Sequence, residues 1–139
     1  MLGNRSMPRC AVIPVLAYDD VGEAIDWLCG AFAFTERWRA GNHRAQLSVG
    51  DGAAVALTEG RVGRESRAGQ SVMVRVENAD RHHDRARQRG ARILQAPTDH
   101  PYGERQYTAE DLAGYRWTFS QSIADVAPDE WGGRSANLV

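Results

Sequence analysis

The 139-residue chain repeats itself. Val15-Leu16-Ala17 lines up with Val74-Arg75-Val76, Gly52 with Gly114, and Leu57 with Phe119, an offset of about 60 residues of the kind that marks a duplicated structural unit. The first copy opens on the apolar run Ala11–Ala17, which is short and rich in β-branched residues and predicts a strand; Pro14 inside it restricts that strand to a sheet edge or the start of a ladder. Asp19-Asp20 then offers an N-cap. Ala24, Ile25, Leu28 and Phe32 recur at helical spacing, predicting a helix from Val21 to about Ala31. Strands are expected at Phe34–Arg39, His43–Val49 and Ala53–Thr58, the last two joined by the hairpin signal Gly50-Asp51-Gly52. The second copy follows the same order. It has a strand at Ser71–Val76, a helix from Asn78 to Gly90, a short strand at Ala91–Gln95 and a loop at Pro97–Gly103. A hairpin of Glu104–Ala109 and Tyr115–Ser120 then turns at Asp111–Gly114.

A unit of strand, helix and three strands covers only one face of its sheet, so two units can curl their open faces around a ligand. The expected fold is therefore α+β: two βαβββ modules forming a curved mixed sheet around a cleft. Module one takes residues 10–60 and module two residues 70–122 of a single domain spanning 10–132. The polar stretch Glu59–Gln70 is read as a linker, and residues 123–139 as a tail whose Ala127-Pro128-Asp129-Glu130-Trp131 predicts one helical turn. The length suits one core and not two. With 42% hydrophobic and 25% charged residues, the composition is that of a globular chain and not a disordered one.

Net charge is −1, and all 17 cationic side chains are Arg. A charge so near neutrality gives no general attraction to nucleic acid or an acidic membrane. No apolar run reaches the roughly 20 residues of a membrane span. Residues 1–9 lack the apolar region of a secretory signal, and the cytoplasm is the expected compartment. Cys10 and Cys29 have neither a C-x-x-C spacing nor the number that builds a disulfide framework.

Two stretches carry a family likeness. One runs from Leu16 to Phe34: strand, Asp-Asp, amphipathic helix, Gly-Ala-Phe-Ala-Phe. The other is Tyr102-Gly103-Glu104-Arg105-Gln106-Tyr107, followed by Glu110-Asp111-Leu112-Ala113-Gly114-Tyr115-Arg116-Trp117. In this order, and with the internal repeat, the chain resembles the glyoxalase/bleomycin resistance/dioxygenase superfamily, the vicinal oxygen chelate proteins, in a bacterial branch. The family's turn usually has Pro after the Asp; here Leu112 stands there. The resemblance implies a domain over roughly Val12–Trp131. It also implies that metal-dependent members would place His or Gln on the first strand of each module and Glu on the last. Those positions fall near Ile13 and Ser71, and near Ala56 and Thr118. Ile and Ala offer no donor and hydroxyls are poor ligands for such ions, so neither a metal nor another cofactor is expected.

Strand alternation nominates the ligand-binding wall. A turn at Asp111–Gly114 pairs Tyr107 with Thr118 and Ala109 with Arg116. It thereby aims Arg105, Tyr107, Arg116 and Thr118 at the cleft, and Trp117 and Phe119 away from it. The same reasoning puts His43, Ala45, Leu47, Ala54, Ala56 and Thr58 on the cleft side of module one. The expected ligand-binding residues are Trp38, His43, Leu47, Arg105, Tyr107, Arg116 and Thr118. For Arg105 and Arg116 the alternative is pairing with Glu104 or Glu110. For Trp38 it is capping the core or a dimer contact.

No catalytic residue is assigned. His82 and His83 are adjacent on a helix and cannot chelate one ion together; they read as a solvated face. His100 lies in the loop before Tyr102, where it is a candidate acid or base. Trp131 is expected to plug the end of the barrel. The function expected is that of a metal-free small-molecule-binding protein of the bleomycin resistance type. Such a protein sequesters an aromatic or anionic compound and serves antibiotic resistance. The alternative is a lyase, isomerase or other enzyme of the same superfamily. A homodimer is expected through the Pro14 edge strand, Trp27 and Trp38, with neither nucleic acid nor membrane as a partner.

Overall fold

The computed structural model describes residues 2–138. Module one contains β1 (Val15–Tyr18), α1 (Val21–Phe32), β2 (Thr35–Ala40), β3 (Arg44–Val49) and β4 (Ala53–Glu59). A short helix α2 (Arg64–Ala68) leads into module two. That module contains β5 (Ser71–Arg75), α3 (Ala79–Gln88), β6 (Arg92–His100), β7 (Glu104–Glu110) and β8 (Arg116–Ser122). A 3-10 turn at Pro128–Trp131 follows, on the predicted tail. The sheets have the equivalent orders β1-β4-β3-β2 and β5-β8-β7-β6. In each the first strand runs parallel to the last and the other pairs are antiparallel. The two expected βαβββ modules are present, and the sheets are not closed on one another.

Local chemistry accounts for the helix boundaries. Asp20 has an extended backbone, and its Oδ1 accepts from the Glu23 amide at 3.0 Å; Asn78 does the same for Arg81 at 2.9 Å. Each satisfies one of the amides that a helix start leaves unpaired. Gly90, with φ at +92°, turns the chain out of α3, a conformation glycine adopts without steric penalty.

Two expected segments differ. The linker is not all loop: residues 64–68 form α2, whose single turn is too short to show a period. The strand expected to stop at Gln95 continues to His100 through Pro97. That is possible because β6 is an edge strand and its register shifts twice, between Ile93 and Gln95 and between Gln95 and Thr98. A bulged edge tolerates a residue that cannot donate to the ladder.

One core serves both modules. Val21, Ala24, Ile25, Leu28, Ala31 and Phe32 of α1 are buried, together with Ala45, Leu47, Val55 and Leu57 of sheet one and Tyr107, Ala109, Trp117 and Phe119 of sheet two. Phe32 lies 4.8 Å from Phe119 and 5.7 Å from Trp117 between ring centroids, and Phe34 lies 5.3 Å from Trp117. Polar groups join the halves as well. The Tyr18 hydroxyl donates to Asp111 Oδ2 at 2.6 Å, and the Trp117 indole donates to the same oxygen at 3.1 Å. Asp111 Oδ1 accepts from the amides of Ala113 and Tyr115. The Arg85 guanidinium on α3 donates to the carbonyls of Gly30 and Cys29 at the end of α1.

Candidate site on the open sheet faces

Each sheet turns one face to the shared core, and the hairpin register decides which residues occupy the other. In module two Glu110 faces Arg116, Thr108 faces Thr118, Gln106 faces Ser120 and Glu104 faces Ser122. These residues share the open face, alternating with the core residues Tyr107, Ala109, Trp117 and Phe119. Met73 of β5 stands beside Thr118, and Ser71 beside Arg116. In module one the open face carries Arg44, Gln46 and Ser48 of β3 opposite Thr58, Ala56 and Ala54 of β4, with Val15 of β1 beside Ala56.

The module-two face is a connected polar surface. Thr108 and Thr118 share a hydrogen bond at 2.9 Å. Ser120 donates to Glu104 Oε1, and Gln106 Nε2 lies 3.3 Å from both that oxygen and Ser120 Oγ. The Tyr102 hydroxyl reaches Gln106 Oε1 at 3.3 Å. His100 pairs with Glu104 across β6 and β7 and stacks on Tyr102, with centroids 5.0 Å apart and planes 6° apart. Its Nε2 is buried without a partner among the described residues. Glu110 is buried and flanked by Arg92 at 3.3 Å and Arg64 at 3.9 Å. Arg116 is exposed and has no ion pair or side-chain hydrogen bond among the described residues. Its guanidinium is therefore available on this face, whose carboxylates are already engaged.

Of the seven nominated residues, Trp38, Arg116 and Thr118 lie on open faces. The other four do not: the module-two register is one residue from that expected, and the module-one register separates Leu47 from the open face. Tyr107 pairs with Phe119, not Thr118, and is fully buried in the core. Arg105 shares its side of the sheet and pairs with Asp99 at 2.6 Å and with Asp80 of α3 at 3.1 Å. Leu47 pairs with Val55 and is fully buried beneath α1. Ala45 is likewise in the core. His43 sits in the turn before β3, exposed, 3.0 Å from Glu59.

The physical cause is the pairing that the loops set. Val49 pairs with Ala53 around Gly50–Gly52, and Glu110 pairs with Arg116 around residues 111–115, so Tyr115 belongs to the loop. In module two the loop holds five residues where four were expected, and a one-residue slip moves every side chain to the other face. In module one the three-residue loop falls where expected and sets Leu47 opposite Val55 and Ala45 opposite Leu57, so that they share no face with Ala54 and Ala56. Gln46, Glu104, Gln106, Thr108 and Ser120 were missed for the same reason; correct pairing alone would have found them.

Two further expectations change. His82 is not solvated: its Nε2 lies 2.9 Å from the Phe32 carbonyl and its Nδ1 is hydrogen-bonded to the Tyr107 hydroxyl. Burial lowers its pKa, the Arg85 charge lowers it further, and the bond to Phe32 works the other way. Burial also raises the pKa of Tyr107. Trp131 is 41% exposed and packs edge-on against Tyr102 at 5.4 Å, so it does not plug the domain.

Residues at the family's ligand positions do not fit a divalent ion. Ala56 carries no donor, the Thr118 hydroxyl is engaged by Thr108, and Ile13 and Ser71 supply neither imidazole nor carboxylate. Among the described residues no group of three His, Cys, Asp or Glu side chains is placed to hold a metal. A separate recess of about 230 Å³, lined by Tyr18, Asp19, Arg64, Arg67 and neighbours, lies off both open faces.

The model of the glyoxalase/bleomycin resistance protein/dioxygenase superfamily matches residues 9–119. No curated protein matches the chain. Among solved structures, TioX from Micromonospora sp. ML1 is 31% identical, with a TM-score of 0.68, over 81% of this chain and 100% of that one. The bleomycin-binding protein of Streptomyces verticillus, complexed with copper(II)-bleomycin, is 18% identical with a TM-score of 0.62, over 79% of this chain and 93% of that one. The fosfomycin resistance protein FosX from Listeria monocytogenes, complexed with Mn(II) and a dihydroxypropylphosphonic acid, is 14% identical with a TM-score of 0.68. That match covers 91% of this chain and 98% of that one. At those last two identities the likeness is one of fold.

Proposed function

Because the chain belongs to the glyoxalase/bleomycin resistance protein/dioxygenase superfamily, we propose that it binds a small organic molecule against its open sheet faces and sequesters it, in the cytoplasm, without metal chemistry. The observation that carries this reading is the module-two face. Where the family's metal-dependent members hold a carboxylate, this chain has Thr118, and two residues along the same strand, on the same face, stands the unengaged Arg116. A planar guanidinium beside hydroxyls and an amide suits a carboxylate or carbonyl ligand. The copper(II)-bleomycin complex of a relative with this fold makes a metal-chelating antibiotic a reasonable first probe.

A homodimer completes the site in this reading. Val15 and Met73 occupy equivalent open-face positions, and each is 61% exposed. Among the described residues no strand pairing joins the two sheets of one chain. A second copy laying its module-two face over module one would bury both residues and enclose a ligand between the walls.

The test is a thermal-shift screen of aromatic carboxylates, amides and bleomycin, since a ligand at 100 times its Kd stabilises the protein by about 2.7 kcal/mol. For any hit, Arg116→Ala is expected to weaken binding roughly tenfold or more, from the loss of a charge-assisted hydrogen bond, with unfolding midpoint unchanged. Unaltered affinity in that variant would remove Arg116 from the site. One observation favours the enzymatic alternative, a lyase or isomerase: the buried, unpartnered His100 Nε2 beside Glu104. Turnover abolished by His100→Gln would establish it.

A further inference from the structure

The second strand of module one breaks its ladder at one point. Glu36 pairs with Leu47 and Trp38 with Gln46, so Arg37 and Trp38 together oppose a single residue. Such a bulge re-aims the extra side chain. Glu36 and Arg39 stay on the helix side, where Arg39 bonds Glu36 and lies 3.9 Å from Asp26 of α1. Arg37 and Trp38 both turn to the open face: Arg37 donates to the Oε1 of Gln46, which is itself buried. The result is a guanidinium, an indole N–H and a flat aromatic surface side by side.

Both donors are filled from within the chain. The Trp38 indole donates to the Ser6 carbonyl at 3.0 Å, and Arg37 Nη2 donates to the Arg5 carbonyl at 3.2 Å. The segment that supplies these oxygens is otherwise held by little. Residues 2–7 are all exposed, and the Asn4 side chain bonds only to Ser6 within the same turn. No apolar side chain of residues 2–7 is buried, and exposed hydrogen bonds compete with water, which places this segment at the low-stability end of the molecule.

We propose that Arg37, Trp38 and Gln46 form a subsite for the carbonyl or carboxylate oxygens of an aromatic ligand, and that residues 2–7 are its displaceable internal occupant. The proposal rests on the small-molecule reading above and deepens it. The two backbone carbonyls show which chemistry the subsite accepts: acceptor oxygens, met by the guanidinium and the indole N–H. A ligand that offers such an oxygen along with a flat ring recovers hydrogen bonding to these donors and adds stacking on Trp38, which the segment does not provide. Exchange of one occupant for the other makes the segment a gate whose opening is linked to binding.

Two-dimensional ¹⁵N NMR of the full chain tests this with benzoate, benzamide and benzylamine. Benzoate and benzamide are expected to shift the Trp38 indole N–H and to release the amides of Asn4–Met7 to fast motion; benzylamine, which has no acceptor, is expected to do neither. Arg37→Ala should weaken benzoate roughly tenfold. Trp38→Phe should loosen residues 4–7 with no ligand present, which tests the strap independently of any affinity. The proposal is overturned if benzoate fails to bind up to about 10 mM, the weak limit for so small a ligand. It is equally overturned if benzoate binds while the segment stays ordered, or if Trp38→Phe leaves the segment as rigid as before. Shifts confined to Thr108, Arg116 and Thr118 would sink this subsite while leaving the proposed function standing; silence on both faces, with no hit in the wider screen, would remove both.

Discussion

His82 shows how a residue changes meaning with its neighbours. Its ring bridges the modules, touching the Phe32 carbonyl of α1, the Tyr107 hydroxyl of β7 and the Phe119 ring of β8 at 4.2 Å. Nε2 carries the proton that Phe32 accepts, which leaves Nδ1 as acceptor for Tyr107. Protonation would put two donors face to face beside the cationic Arg85. The native pKa therefore lies below the ordinary value, and the unfolded chain takes up more protons as pH falls past about 6.5. The contribution is present above that range and is lost as pH drops through it. Urea unfolding is expected to give a higher midpoint at about pH 7.5 than at about pH 5.5, and His82→Gln is expected to flatten that slope. An equal slope in the variant would move the effect elsewhere. Tyr107→Phe leaves the Nδ1 acceptor unsatisfied and should cost about 1–3 kcal/mol by the same measurement.

At the scale of elements, the legible parts were those whose signal is local. Asp20, the period of Ala24, Ile25, Leu28 and Phe32, and the repeat of the whole pattern specify α1 and its place in each module. Asp20→Ala is expected to destabilise the protein by about 1 kcal/mol, read from denaturant unfolding. A hairpin's face is a different matter. It depends on whether the loop is odd or even, and in module two that is set by the Asp111 carboxylate, which holds the amides of Ala113 and Tyr115 and draws Tyr115 into the loop. The carboxylate is in turn fixed by Tyr18 from the other module. No window of sequence around the hairpin contains that information, and so the open-face amides of Gln46 and Gln106 and the hydroxyls of Thr108 and Ser120 stayed hidden, although Thr118 and Arg116 do share that face. The bulge at Arg37 and Trp38 is invisible for the same reason: β2 alone has no glycine or proline to announce it.

For the whole molecule, Phe32 is where the modules cohere, in contact with Phe34, Trp117, Phe119 and His82. Phe32→Ala is expected to cost about 3–5 kcal/mol and to lower the unfolding of both modules together, seen as a single transition shifted intact. Two separated transitions would show that the halves fold alone. The exposed Val15 and Met73 belong to the same scale. Sedimentation should give a dimer for the parent chain. Met73→Arg, which puts a charge on the face to be covered, should give a monomer with its fold retained, and a parent chain that is monomeric at micromolar concentration would discard the enclosed site.

The bond between Tyr18 and Asp111 gives the duplicated architecture a direction in time. Two identical modules related by symmetry would offer each contact twice, and either could replace the other. Here the hydroxyl belongs to the first half alone and the carboxylate to the second: by strand register Val76 takes the place of Tyr18 in the second half, and Val49 the place of Asp111 in the first. A chain assembled from two copies of residues 10–60 would keep the donor twice and lose its acceptor. The halves have become complementary rather than interchangeable, so the ancestry visible in the repeat cannot be rebuilt by simply repeating either part.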